Sequence, residues 1–175
     1  NMKKVFSIFL VFIICIGTLV GSTNKGCIDA QLVTLNYDEI KDKLIRFHVI
    51  ANSDSDEDQA VKLLVRDEVI DYINVQLKDA TGIDEARDIL KDNIEEVNNI
   101  AVNILRENGF DYEANTMISN ENFPDKVYGD YLFPQGNYEA FRIIIGNGEG
   151  HNWWCVMFPP LCFVDETKGD VDSKE

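Results

Sequence analysis

Leu44-Ile45-Arg46-Phe47-His48-Val49-Ile50-Ala51, then Asn52-Ser53-Asp54-Ser55, then Asp56-Glu57-Asp58-Gln59-Ala60-Val61-Lys62: in these residues a strand gives way to a capped helix. The first block is rich in β-branched and aromatic side chains and alternates in part, Ile45, Phe47 and Val49 against Arg46 and His48, which predicts a strand. The second block stops it with short side chains that bond their own backbone, and Ser55 with Asp58 has capping-box spacing. Acids at 56 to 58 suit the positive end of a helix dipole, so a helix is expected from about Asp56 to Leu77. Its apolar residues, Ala60, Leu63, Leu64, Val65, Val69, Ile70 and Ile73, wrap around more than one side and predict cover on two faces.

Downstream the period stays near 3.6. Ile83, Ala86, Leu90, Ile94, Val97, Ala101, Ile104 and Leu105 recur three and four apart with acids opposite, which predicts one second helix with a single face on the core. Asn108-Gly109 ends it. From Phe110 the period becomes two: Tyr112, Ala114, Thr116 and Ile118 alternate with polar residues, and Tyr138 to Ile145 and Trp153 to Phe158 read as further strands. Gly146-Asn147-Gly148-Glu149-Gly150 is expected to join the last two as a hairpin loop. The fold class is therefore α+β, a single domain in β-α-α-β-β-β order with two helices packed on one face of a mixed sheet. Upstream, Asp38 to Lys43 reads as either a helical turn or an entry strand.

Lys3 and Lys4 precede an uncharged apolar run from Val5 to Val20, broken at Gly17, Gly21 and Ser22, the pattern of an export signal. Cleavage after Ser22 is one reading, and retention as an uncleaved anchor is the other. The division is then 1–22 signal peptide or anchor, 23–37 spacer, 38–165 the α+β domain, and 166–175 an acidic polar tail. With 175 residues the chain can bury one good core. Its formal net charge of −15 argues against nucleic acid as a partner, because phosphate binding needs clustered Lys and Arg. Any membrane contact is expected only through the signal segment or a partner.

Chemistry-bearing patterns are few. Gly146-x-Gly148-x-Gly150 does not hand over to a helix, as a phosphate loop must. Asp54-x-Asp56-x-Asp58 opens like a calcium loop, but Gln59 stands where glycine is needed and Val65 where the bidentate glutamate belongs. His151 with Cys155 or Cys162 fits neither a nucleophilic pair nor a familiar zinc spacing, so no catalytic residue, metal or cofactor is expected. Cys155 and Cys162 flank a segment with two prolines that can reverse the chain, and in an exported protein this favours a disulfide worth about 2 to 3 kcal/mol. Two buried free thiols are the alternative. Trp153, Trp154, Phe158, Pro159, Pro160 and Leu161 carry more large apolar surface than one face of a strand can bury, so they are candidate anchors of a protein interface, with an ordinary inner strand as the competing reading. Asn52, Ser53 and Asp54 form a second candidate contact, against the simpler reading that a strand-to-helix corner needs those residues for capping.

Two stretches carry a family resemblance. One is Val49-Ile50-Ala51-Asn52-Ser53-Asp54-Ser55 with Asp58-Gln59-Ala60-Val61-Lys62 and Val65-Arg66-Asp67. The other runs from Phe133-Pro134 through Gly136, Tyr138 and Ile145-Gly146 to Asn152-Trp153-Trp154-Cys155-Val156 and Phe158-Pro159-Pro160-Leu161-Cys162-Phe163-Val164-Asp165. Both resemble stage II sporulation protein R, a secreted signalling family of endospore-forming bacteria. The resemblance implies a non-enzymatic messenger, exported from the forespore into the space between forespore and mother cell. There it would activate a membrane-embedded aspartic protease that processes the precursor of sigma-E. The alternative from a different class is an exported hydrolase acting on cell-wall or peptide substrate.

Overall fold

The computed structural model describes residues 32–162. The export segment, most of the spacer and the acidic tail lie outside the described residues. Chain order is β1 (Val33–Thr34), α1 (Tyr37–Ile40), β2 (Ile45–Ile50), α2 (Asp56–Leu77), α3 (Ile83–Asp92), α4 (Ile94–Glu107), β3 (Ala114–Phe123), β4 (Lys126–Tyr128), β5 (Tyr131–Phe133), β6 (Gly136–Ile145) and β7 (Asn152–Phe158). The fold is α+β, as the periodicities predict. A four-stranded mixed sheet has the order β3-β6-β2-β7, with β2 parallel to β6 and antiparallel to β7, and a small second sheet has the order β1-β5-β4.

All six residues of β2 are buried, because both faces of the main sheet are covered. On one face Phe47 meets Phe141 and Trp153, and α2 lies over Trp153 through Arg66. On the other, Arg46 enters a box of aromatic rings to which the small sheet contributes Tyr128 and Phe133. The alternation of Arg46 and His48 with apolar neighbours thus does not mark a solvent face. Arg46 is completely buried, donating from Nε to the Cys155 carbonyl at 3.1 Å and from Nη2 to the Tyr128 hydroxyl at 3.3 Å, with its guanidinium 4.3 Å from the Phe123 ring centroid. Rings supply a negative face to a desolvated cation, each such contact being worth up to about 2 kcal/mol.

Helix α2 begins and ends where its caps and apolar run predict. The Ser55 hydroxyl accepts the Asp58 amide at 3.2 Å. Val65, Val69, Ile70 and Ile73 are buried as expected, but Leu64 is 47% exposed and Ala60 is exposed, while Asp58, Lys62 and Arg66 are buried. The helix expected over 83 to 105 is divided at Asn93. The Asn93 side chain donates to the Ile89 carbonyl and accepts the Tyr72 hydroxyl at 2.7 Å. An asparagine that bonds its own helix this way competes with the ladder, and Tyr72 holds it in place.

The loop at 146–150 is not a hairpin loop. β2 lies between β6 and β7, so the loop must cross its C-terminal end. It does so in contact: Gly150 N donates to the Ala51 carbonyl at 3.0 Å and Glu149 N to the Asn52 carbonyl at 3.2 Å. Upstream, 37–40 forms a helical turn capped by Asn36, and Val33–Thr34, inside the segment read as spacer, pairs with β5.

Candidate partner-binding surface

β7 is an edge strand, and its alternation sends the two tryptophans to opposite faces. Trp153 is buried against α2. Its ring stands edge-on to Phe47 at 5.6 Å and lies 5.0 Å from the Arg66 guanidinium. Its bulk therefore belongs to the core. Trp154 is half-buried on the other face, stacked on His48 at 3.7 Å and 4.6 Å from Phe123, and its carbonyl accepts the Tyr128 hydroxyl. Burial drives the His48 pKa down to about 4, the positive charges of Arg142 and Arg46 adding to the effect while Asn152 and Glu121 oppose it. His48 is a neutral structural ring at physiological pH.

The chain leaves β7 through Phe158, Pro159 and Pro160 and turns back on the strand it has just left. Leu161 N and Cys162 N both donate to the Val156 carbonyl, and Cys155 and Cys162 are joined by a disulfide with their Cα atoms 5.7 Å apart. Pro159 and Pro160 are exposed at the tip, with Phe158 and Leu161 half-buried beside them. Of the six residues read as anchors, the structure brings these four together on one clamped turn. Trp154 lies farther back along the strand, and Trp153 faces the opposite way.

The Asn52-Ser53-Asp54 corner is bonded throughout. Asn52 donates from Nδ2 to Asp58 Oδ2 at 2.9 Å and accepts the Asn147 amide on Oδ1, while Ser53 Oγ donates to the same Asp58 oxygen at 2.5 Å. Burial acts to raise the Asp58 pKa, but hydrogen bonds from Ser53, Asn52 and Tyr112 outweigh it and the net shift is downward. The crossing loop closes on the corner so tightly that a methyl group on Gly146 would lie 2.2 Å from Asn52 Oδ1, and one on Gly150 2.2 Å from the Ser53 carbonyl oxygen. Asp54 accepts the His151 amide at 2.6 Å and pairs with the His151 ring, both side chains being more than half exposed. Asn52 and Ser53 thus hold the loop to the helix start, and only Asp54 stands open to solvent.

Cys155 and Cys162 are bonded to each other, so neither supplies a thiolate to His151. Among the described residues no cluster of His, Cys, Asp or Glu could hold a metal ion, and no helix is long and apolar enough to cross a membrane. An open cleft of about 340 Å³ lies beside β3, lined by Lys41, Asp42, Arg87, Ser119, Asn120 and Glu139. Its cations are already engaged, Arg87 with Glu139 and Asp84, Lys41 with Asp38. Sequence reasoning missed the aromatic box of Arg46 and the buried row Asp58, Lys62 and Arg66. The spacing of that row by four was visible, but charge at such positions ordinarily means solvent.

Three comparisons bear on this arrangement. The sequence model of the stage II sporulation protein R family matches residues 41–168, which takes in both the corner and the clamped turn. Stage II sporulation protein R of Bacillus subtilis (strain 168) is 39% identical over 175 residues, an alignment covering 99% of this chain and 77% of the relative. No solved structure matches significantly. A match over most of the domain and an identity of this size across the whole chain show the family: the chain belongs to the stage II sporulation protein R family.

Proposed function

We propose that the chain is an exported messenger of sporulation without catalytic activity of its own, acting between forespore and mother cell. Its partner is a membrane-embedded aspartic protease that, once activated, processes the precursor of sigma-E. The observation that carries this reading is membership of the family over residues 41–168, joined to the export pattern at the N-terminus. The contact we assign to the partner is the turn at Phe158, Pro159, Pro160 and Leu161, with Trp154 beside it. Exposed apolar groups on a turn fixed by a disulfide lose little conformational entropy on binding, which is what an interface anchor needs. The Asn52-Ser53-Asp54 corner is assigned to holding the fold, with Asp54 alone accessible to a partner.

The test is made in sporulating cells that lack their own copy of this protein. Supplying the full chain should restore cleavage of the sigma-E precursor, and a chain without residues 2–22 should not. Restoration by the variant without the export segment would place its action on the wrong side of the membrane for this reading. Failure of both chains, with each shown to accumulate, would return attention to the hydrolase alternative.

A further inference from the structure

The two edges of the main sheet are built differently. An exposed strand edge is a row of unpaired amides and carbonyls ready to pair with another strand, and proteins ordinarily blunt it with bulges, prolines, charges or covering segments. β7 carries several of these devices. Its register against β2 shifts between Ile45 and Arg46, two prolines follow it, the Trp154 carbonyl takes the Tyr128 hydroxyl, and the Val156 carbonyl takes two amides from the returning chain.

β3, at the opposite edge, carries neither a bulge nor a proline. It runs ten residues in unbroken register with β6, from Ala114 opposite Ile145 to Phe123 opposite Gly136. In an antiparallel pair every second residue turns its amide and carbonyl away from its neighbour. Among the described residues, no backbone hydrogen bond reaches β3 from any element other than β6. The sequence Ala114-Asn115-Thr116-Met117-Ile118-Ser119-Asn120-Glu121-Asn122-Phe123 has no proline, lysine or arginine. Its single charge, Glu121, is neutralised by Arg142 at 2.8 Å. Met117 and Ile118, on opposite faces of the strand, are only half-buried, and Ile118, Ser119 and Asn120 form one wall of the open cleft.

Charge selects the occupant. In a chain with 31 acidic and 16 basic residues, an edge shaped for a basic segment would present carboxylates, and one shaped for an acidic segment would present Lys or Arg. A strip that is neutral along its length suits an occupant with the same strongly negative surface, which can approach only where no charge stands. We propose that two copies of this chain associate through β3, antiparallel about a two-fold axis near Ile118 and Ser119, joining their main sheets into one. With the axis at Ile118 or at Ser119, Glu121 faces Asn115 or Met117 of the second copy, so no like charges oppose each other. The half-buried Met117 and Ile118 are covered by the side chains of the arriving strand.

The experiment is sedimentation equilibrium of the full chain in a mild detergent over roughly two decades of concentration, with thermal melting in parallel. The native chain should show a monomer–dimer equilibrium. Asn120 is exposed, and with the axis at Ile118 or at Ser119 it faces Thr116 or Ile118 of the second copy and no carboxylate, so a charge placed there, as Asn120→Asp or as Asn120→Lys, loses water without gaining a partner and should raise the dissociation constant about tenfold or more without moving the melting point. Asn120→Lys lowers the net negative charge yet should still weaken association, which separates a local effect from overall repulsion. Ser119→Cys should cross-link two copies under mild oxidation. A native chain that stays monomeric, or a dimer that both charged variants leave intact because it forms through the apolar N-terminal segment or another surface, would overturn the proposal.

Discussion

Asn52→Ala should unfold the corner rather than blunt a contact, and the structure sets the size of the effect. The substitution removes the Nδ2 hydrogen bond to Asp58, a buried carboxylate held at a lowered pKa, and the Oδ1 acceptor of the Asn147 amide in the crossing loop. A hydrogen bond to a charged group contributes about 1.5 to 3 kcal/mol and a neutral one near the surface about 1 kcal/mol or less, so the loss is about 2 to 4 kcal/mol. For a body of this size that lowers the melting temperature by roughly 10 °C. The assay is thermal unfolding followed by circular dichroism, with precursor cleavage measured below both transitions. Asp54→Ala is the companion, since Asp54 and His151 are each more than half exposed and their pair is worth under about 1 kcal/mol. An Asn52→Ala protein that melts within about 2 °C of the native chain would refute the latch. If it also failed to signal, the corner would be a contact.

Further predictions concern pH, oxidation and the turn. The His48 pKa falls from 6.5 in the unfolded chain to about 4 in the fold, so the folded state binds fewer protons in that interval. Stability should be complete above pH 6.5 and decline toward pH 4 by up to about 3 kcal/mol. His48→Phe, which keeps a ring against Trp154, should flatten that decline in urea titrations at several pH values, and an unchanged slope would count against a buried neutral imidazole. Reduction of the Cys155–Cys162 bond, or replacing both residues by alanine, should cost about 2 to 3 kcal/mol in denaturant melts, and no loss would mean the turn is held without it. Pro160→Asp, at an exposed tip, should leave the melting temperature near native while cutting precursor cleavage about tenfold or more. Full activity would move the contact elsewhere.

Local patterns carried much of this fold. Ser55 and the acids after it mark the start of α2 because capping depends on residues within one turn. The alternation in β3, β6 and β7 marks strands for the same reason. Pairing is different: nothing near Gly146 announces that β2, a hundred residues earlier, enters between β6 and β7, and a glycine-rich loop crossing one strand reads like a loop joining neighbours. Arg46 misled because a charge in a strand ordinarily faces water, whereas here a small sheet built from distant residues covers it. The break at Asn93 depends on Tyr72, on another helix. At the candidate surface, the clamped turn was legible from Cys155, the two prolines and Cys162. The division of labour between Trp153 and Trp154 was not, because which face of a strand is core depends on what lands on it.

The central claim is that this protein activates another enzyme by contact from outside the membrane. The most direct measurement mixes purified full chain with membranes carrying the aspartic protease and the sigma-E precursor, and follows precursor cleavage on a gel. The account predicts cleavage that depends on added protein, disappears when the protease loses its own catalytic aspartate, and falls with Pro160→Asp. Cleavage that persists without the protease aspartate, or none at all with folded protein and competent membranes, would contradict it.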